Sequence, residues 1–421
     1  MPREKGLFAL VARVVLIFAS STLLAPTLAA GQEQVLHIFN GSDGANSFSG
    51  LVFDAAGNLY GTTQQGGNTG YGTVFKLTRR SNGTWAETVL HNFNGPDGLD
   101  PGGLAPSAAL VFDRAGNLFG TTFSGGVHGA GVVFELSPGA GGKWTETVLH
   151  AFNNEVSGEG QPAAPLIFDK AGNLYGTTTG VPPGKGTVFK LSPNSNGTWT
   201  ETVLHTFSGE DGAKPYGGLI FDAAGNLYGT TNVGGANKYF GNVFELTPGG
   251  GGEWKETVLH TFSSQNGDGA YPQAGLLLDA AGNLYGTTSF GGLPDCAFGC
   301  GIAFKLTPGA NGKWRETILY EFTGGADGAY PGAAFTPDAS GNLYSTTASG
   351  GNPLCTVGCG VVFELAEGAS GKWSETVLNA FDGYDGSDLW SNVILDGAGN
   401  LYSTTADGGN NGNGVVYEVT Q

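Results

Sequence analysis

Gly57-Asn58-Leu59-Tyr60-Gly61-Thr62-Thr63, followed shortly by Thr73-Val74-Phe75-Lys76-Leu77, is one copy of a pattern that returns along the whole chain. Its Asn recurs at Asn58, Asn117, Asn173, Asn226, Asn283, Asn342 and Asn400, at spacings of 59, 56, 53, 57, 59 and 58 residues. A period of this length predicts one supersecondary unit copied seven times. In the first copy, four strand-sized pieces surround the landmark: 50–54, 59–63, 72–78 and 85–93, rich in Val, Phe, Tyr, Thr and Leu as strands are. Asp54-Ala55-Ala56-Gly57-Asn58 joins the first two as a hairpin, because Asp caps a turn while Gly and Asn tolerate positive φ. A Gly- or Asn-rich turn such as residues 249–252 joins the last two. Four antiparallel strands per repeat with no helical periodicity between them predict an all-β chain of β-propeller blades.

The two ends choose a ring over an open solenoid. The seventh copy stops at its third strand, residues 414–420, and no Trp-x-Glu-Thr strand follows it. Near the other end, Val35-Leu36-His37-Ile38-Phe39 repeats the fourth-strand pattern of Val89-Leu90-His91-Asn92-Phe93 without a blade before it. Placing the spare strand in the incomplete blade predicts a seven-bladed propeller over residues 31–421, closed by pairing of residues 34–39 with 414–420. On this reading residues 31–34 add little.

The first thirty residues read differently. Arg3, Lys5 and Arg13 precede an apolar run at 14–24, and Leu28-Ala29-Ala30 closes the segment with small residues. That is the pattern of a signal peptide, with a run too short to span a bilayer. The expected product is exported: secreted, periplasmic or held at the cell surface, with no membrane span after processing. Removing the leader, whose net charge is +2, takes the chain from −18 to −20. So acidic a protein excludes nucleic acid as an expected partner, since that requires clustered Lys and Arg. The 76 glycines suit many tight turns, and a monomer is expected.

The repeats resemble the GloVer family, Gly-rich tandem repeats of exported bacterial proteins often called choice-of-anchor proteins. The likeness rests on GNLYGTT, a following Gly-Gly, and GTVFKL at Gly72-Thr73-Val74-Phe75-Lys76-Leu77 and Gly186-Thr187-Val188-Phe189-Lys190-Leu191. It implies export and the repeat architecture, and it carries no reaction.

Most residues able to do chemistry sit at repeated positions, where scaffold duty explains them. His37, His91, His150, His205 and His260 share one fourth-strand position, filled by Tyr320 and Asn379 in the other copies. Trp85, Trp144, Trp199, Trp254, Trp314 and Trp373 share another and read as wedges between blades. The third strands alternate Lys76, Glu135, Lys190, Glu245, Lys305, Glu364 before ending in Glu418, which reads as a weak registry device between neighbouring blades. His128 lies alone in a loop. No nucleophile elbow, His-Glu-x-x-His pair or phosphate-cradling loop is present, so no catalytic residue, metal ligand or cofactor is assigned.

Cys296, Cys300, Cys355 and Cys359 form two matched loops, Cys296-Ala297-Phe298-Gly299-Cys300 and Cys355-Thr356-Val357-Gly358-Cys359. Export favours a disulfide inside each loop; a shared four-thiolate zinc site is the alternative.

Variable sequence concentrates in two kinds of loop that open on one face of a propeller: those joining second to third strand, and those leading into the first. The lead-in loops carry Asp-Gly at Asp43, Asp97, Asp211, Asp268, Asp327 and Asp385, with aromatics at Tyr216, Tyr271, Tyr330 and Trp390. Rings among carboxylates suit a carbohydrate or a peptide, and Asp-Gly loops are compatible with calcium, although Asp-Gly also simply makes turns. The expected function is a non-catalytic exported propeller that binds a carbohydrate, peptide or surface partner through this face. The alternatives are a secreted propeller lyase or hydrolase, and a structural or adhesion component of the cell surface.

Overall fold

The computed structural model describes residues 32–94, 108–153, 158–236, 239–293, 296–355 and 358–421; the leader and Asp97 lie outside the described residues. Seven four-stranded antiparallel sheets follow one another around a ring. In blade 1 the strands are Val52–Phe53, Leu59–Thr63, Thr73–Arg79 and Trp85–Asn92. Blades 2 to 6 repeat this order, and the only helical elements among the described residues are three single turns of 3₁₀ helix. The first strands are shorter than the sequence suggests, two residues in place of five. Neighbouring blades come close where these strands begin: a Cβ on Gly275 would lie 3.2 Å from the Gly218 carbonyl of the preceding blade, and one on Gly50 would strike the Asn392 side chain.

Blade 7 is completed by the N-terminal strand. Gln32–Ile38 pairs antiparallel with Val415–Thr420, from Gln32 opposite Thr420 to Ile38 opposite Val415. The strand skips Leu36 in a bulge between Val35 and His37, at the place where every other fourth strand bulges, as Leu204 does between Val203 and His205. The pairing begins two residues earlier than expected, because Gln32 and Glu33 also lie in register. Glu33 in fact occupies the position of Glu87 in the Trp-x-Glu-Thr strands, so the leading part of that strand was present in the sequence under changed residues.

Adjacent blades are joined three ways. Each buried Phe that ends a fourth strand meets the third-strand ring of the next blade edge-on: Phe39 on Phe75, Phe93 on Phe134, and so on to Phe381 on Tyr417, with centroids 4.8–5.2 Å apart. Trp85, Trp144, Trp199, Trp314 and Trp373 lean on the second-strand Tyr or Phe of the preceding blade at 6.3–6.4 Å. Finally, a second-strand Thr hydroxyl donates to a carbonyl of the next blade's lead-in segment, as in Thr177 to Pro215, Thr230 to Ala274 and Thr287 to Ala333. Thr404 reaches Ser47 and Ser49 in the same way and joins blade 7 to blade 1.

Among the described residues, the alternating third-strand charges find their partners inside their own blades. Lys76, Lys190 and Lys305 lie over the rings of Tyr60, Tyr175 and Tyr285, directly opposite on the second strand. Glu245 and Glu418 accept the hydroxyls of Tyr228 and Tyr402. Opposite a tyrosine either charge serves, because the ring offers both a π-face and an O–H; in blade 2, where Phe119 stands opposite, Glu135 accepts from the Ser137 hydroxyl instead.

Candidate functional site

On the loop face, each described lead-in loop lies beside the second-to-third-strand loop of its own blade, through bridges such as Ala45 to Gln65, Ala213 to Val233, Ala329 to Ser349 and Ser387 to Asp407. One residue per lead-in loop is then fastened at both ends of its peptide unit. The N–H groups of Asn46, Gln161, Lys214, Tyr271, Tyr330 and Asp388 donate to Asn413, Ala130, Lys185, Phe240, Cys300 and Cys359 of the preceding blade. Their carbonyls accept from Gln64, Thr179, Asn232, Ser289, Ala348 and Ala406 of their own.

All six residues hold a left-handed backbone, with φ from 54° to 60°. For a residue with a Cβ this costs roughly 1–2 kcal/mol, Asn and Asp being the most tolerant. Glycine would relieve it, yet none of the six is Gly. Nor is the position uniform: five residue types, Asn, Gln, Lys, Tyr (twice) and Asp, stand where the surrounding framework is copied blade after blade. Two of the side chains are engaged inside the protein, Asn46 Nδ2 donating to the Ala406 carbonyl at 3.0 Å and Asp388 Oδ1 accepting from Trp390; at the other four, strain retained where the backbone is fully bonded points to use of the side chain.

The structure draws the aromatics of this face into one group. Tyr239, Phe240, Tyr271, Phe290 and Tyr330 form a chain of ring contacts across blades 4, 5 and 6, at 6.3, 6.0, 5.5 and 5.1 Å, and Phe298 adds to Phe290 at 6.3 Å. Tyr239 and Phe298 are well exposed, at 65% and 74%. Of the residues expected at a site, Tyr271 and Tyr330 belong to this chain. Trp390 lies over Gly332 on the next sector and donates its indole N–H to Asp388 at 2.6 Å. Tyr216 sits apart, against Phe123 and Ala163. Sequence reading missed Phe240, Phe290 and the left-handed series; aligning the copies on the residue ahead of the Pro215, Pro272 and Pro331 column would have exposed the latter.

Both disulfides, Cys296–Cys300 and Cys355–Cys359, are formed within their loops. They stand directly behind the site, since the carbonyls of Cys300 and Cys359 receive the N–H groups of Tyr330 and Asp388.

The Asp-Gly carboxylates are engaged with their own loops. Asp43 accepts from Asn40, Asp211 from Ser208, Asp268 from Ser263, Asp327 from Thr323 and Asp385 from the amide of Asp382. They also meet the repeated fourth-strand position: His37 is 3.2 Å from Asp43, His205 is 3.0 Å from Asp211, and the Tyr320 hydroxyl donates to Asp327. Two periodic features of the sequence, His and Asp-Gly, are thus halves of one contact. A third joins them, the Glu of Trp-x-Glu-Thr on the following blade. Burial first, and neighbouring carboxylates second, push Glu33, Glu87, Glu201, Glu256 and Glu375 up to about 7.

The Gloeobacter/Verrucomicrobia repeat matches residues 4–240 and 105–356. The chain belongs to this repeat family. No protein of curated function matches the sequence. Among solved structures this family member is similar to an ulvan lyase, from a new polysaccharide lyase family, bound to -[GlcA(1-4)Rha3S]-. The identity is 12% and the TM-score 0.57, over 92% of this chain and 95% of that one. It is also similar to the PQQ-bound aldose sugar dehydrogenase of Streptomyces coelicolor, at 14% identity and a TM-score of 0.45, covering 78% of this chain and 95% of that one. At these identities the likeness to solved structures is one of fold. Among the described residues no helix of the repeat protein is long and apolar enough to cross a membrane.

Proposed function

We propose that this is an exported binding propeller that takes a carbohydrate chain on its loop face, without catalysis, along the aromatic stretch from Tyr239 to Tyr330. The observation that carries this reading is the non-uniform set of left-handed residues, two of which, Tyr271 and Tyr330, present rings inside that stretch. Aromatic faces stack on the apolar faces of sugar rings, while Gln161 and Lys214 offer donors and an acceptor for hydroxyls. Export is supported by the two closed disulfides, which persist in oxidising compartments. A saccharide ligand is also bound by the ulvan lyase that shares the fold.

The test is a glycan array followed by calorimetry on the best ligand, with Tyr271→Ala, Tyr330→Ala and Arg114→Ala, the last on the opposite face. Each Tyr change should weaken binding about tenfold or more, consistent with a lost stacking contact, and Arg114→Ala should leave it intact. Absence of any glycan ligand sinks the reading. Turnover of a bound polysaccharide would move the protein to the enzyme class.

A further inference from the structure

The blade 4–blade 5 junction differs from its counterparts. At two other junctions the fourth-strand His and the lead-in Asp are six residues apart, His37 with Asp43 and His205 with Asp211, and touch at 3.2 and 3.0 Å. Here Ser263-Ser264-Gln265-Asn266-Gly267 lengthens the loop, so His260 and Asp268 are eight apart and their ligand atoms stand back to 3.5 Å. Glu316 Oε1 of blade 5 fills the third corner, 3.6 Å from His260 Nε2. The three ligand atoms all lie within 4.8 Å of one another.

We propose that His260 Nε2, Asp268 Oδ1 and Glu316 Oε1 bind one divalent transition-metal ion of the zinc class, which clamps the outer strands of blades 4 and 5 together. Atoms held about 2.0–2.2 Å from such an ion at the corners of a tetrahedron are about 3.3–3.6 Å apart, the spacing His260 makes with each carboxylate. One imidazole and two carboxylates suit zinc better than calcium, which takes six to eight oxygens. Asp268 is already oriented for the task. Its Oδ2 is held by the Ser263 amide at 2.7 Å and the Ser263 hydroxyl at 2.6 Å, which leaves Oδ1 turned to the site.

The site is also enclosed. The three side chains are only 15–20% exposed, and Glu316 Oε1 is sealed from solvent. Metal ions compete with protons for imidazole and carboxylate ligands, so metal uptake should release protons.

The experiment titrates ZnCl2 into the chelator-treated protein by calorimetry and follows CoCl2 by its visible absorption. One equivalent should bind, raise the melting temperature and shift the buffer-dependent enthalpy in the sense of proton release. Glu316→Gln, which keeps the buried shape, and His260→Ala should each weaken binding at least tenfold; His205→Ala at the shorter-loop junction should not. No saturable binding of either ion, binding that survives His260→Ala, or loss of binding in His205→Ala would overturn the assignment.

Discussion

Gln32 stands directly opposite Thr420 in the last blade, and its carbonyl accepts the Thr420 hydroxyl at 3.1 Å. The ring is therefore closed from the first described residue onward. Deleting residues 31–40 should lower the melting temperature sharply or cause aggregation, since it strips the outer strand from blade 7 and bares its edge. Deleting only 31–34 should also lower it measurably, because three ladder residues are lost. A protein beginning at Val35 that melts with the intact chain would show that those three pairs carry no weight.

The Phe joints should be the costliest single points in the scaffold. Phe244 is fully buried and meets Phe207 of the preceding fourth strand at 5.2 Å. Phe244→Ala should destabilise by about 3–5 kcal/mol. A denaturant melt showing a loss below about 1 kcal/mol would mean that the joints relax freely.

Stability should fall as pH rises from about 5 to 8. The Glu33, Glu87, Glu201, Glu256 and Glu375 carboxyls titrate near 7 when folded, above their unfolded value, so the folded state binds more protons between about pH 4.5 and 7 and loses that advantage as pH rises. His37 and His150, held low by burial, oppose this in part. Below about pH 4 the sense reverses, because hairpin residues such as Asp54 and Asp279, held low by hydrogen bonds from their own turns against the pull of burial, become protonated. Melting curves should peak near pH 5, and Glu256→Gln should flatten the slope above it. A melting temperature rising steadily from pH 5 to 8 would refute the assignment.

Strain at the left-handed positions is open to direct measurement. Lys214 is exposed and has φ 54°, so Lys214→Gly removes little packing. Relief of the backbone, offset by the looser unfolded chain, should leave a net gain of roughly 0.5–1 kcal/mol. A loss of stability would show that the lysine side chain is bonded to the scaffold and is not held for a ligand.

Opening the disulfides should hurt binding more than folding. Each closes a five-residue loop, for which chain entropy predicts only about 2 kcal/mol. Cys296→Ser with Cys300→Ser loosens the carbonyl that anchors Tyr330, so ligand affinity should drop while the fold survives. Unchanged affinity would separate the disulfide from the site.

The repeat, the blade count, the ring closure and the two local disulfides were all legible in the sequence. Each depends on local chemistry: turn residues at a fixed offset, strand-forming runs, and a spare strand matched to an incomplete blade. The Asn58 to Asn400 series sets the number of blades whatever the tertiary contacts are. Val35 to Phe39 carries its fourth-strand pattern for the same reason.

What needed the folded ring was every relationship between copies. That His260 and Glu316, 56 residues apart, share a corner with Asp268 follows from the width of a blade and the length of one loop. That Phe240, Tyr271, Phe290 and Tyr330 touch follows from neighbouring loops being fastened amide to carbonyl across blade boundaries. The left-handed backbone of Lys214 or Tyr330 is imposed by hydrogen bonds from two blades at once, so no single copy of the repeat announces it and only the aligned copies mark the position. Periodicity determines what each blade is, and only closure decides which residues of different blades meet.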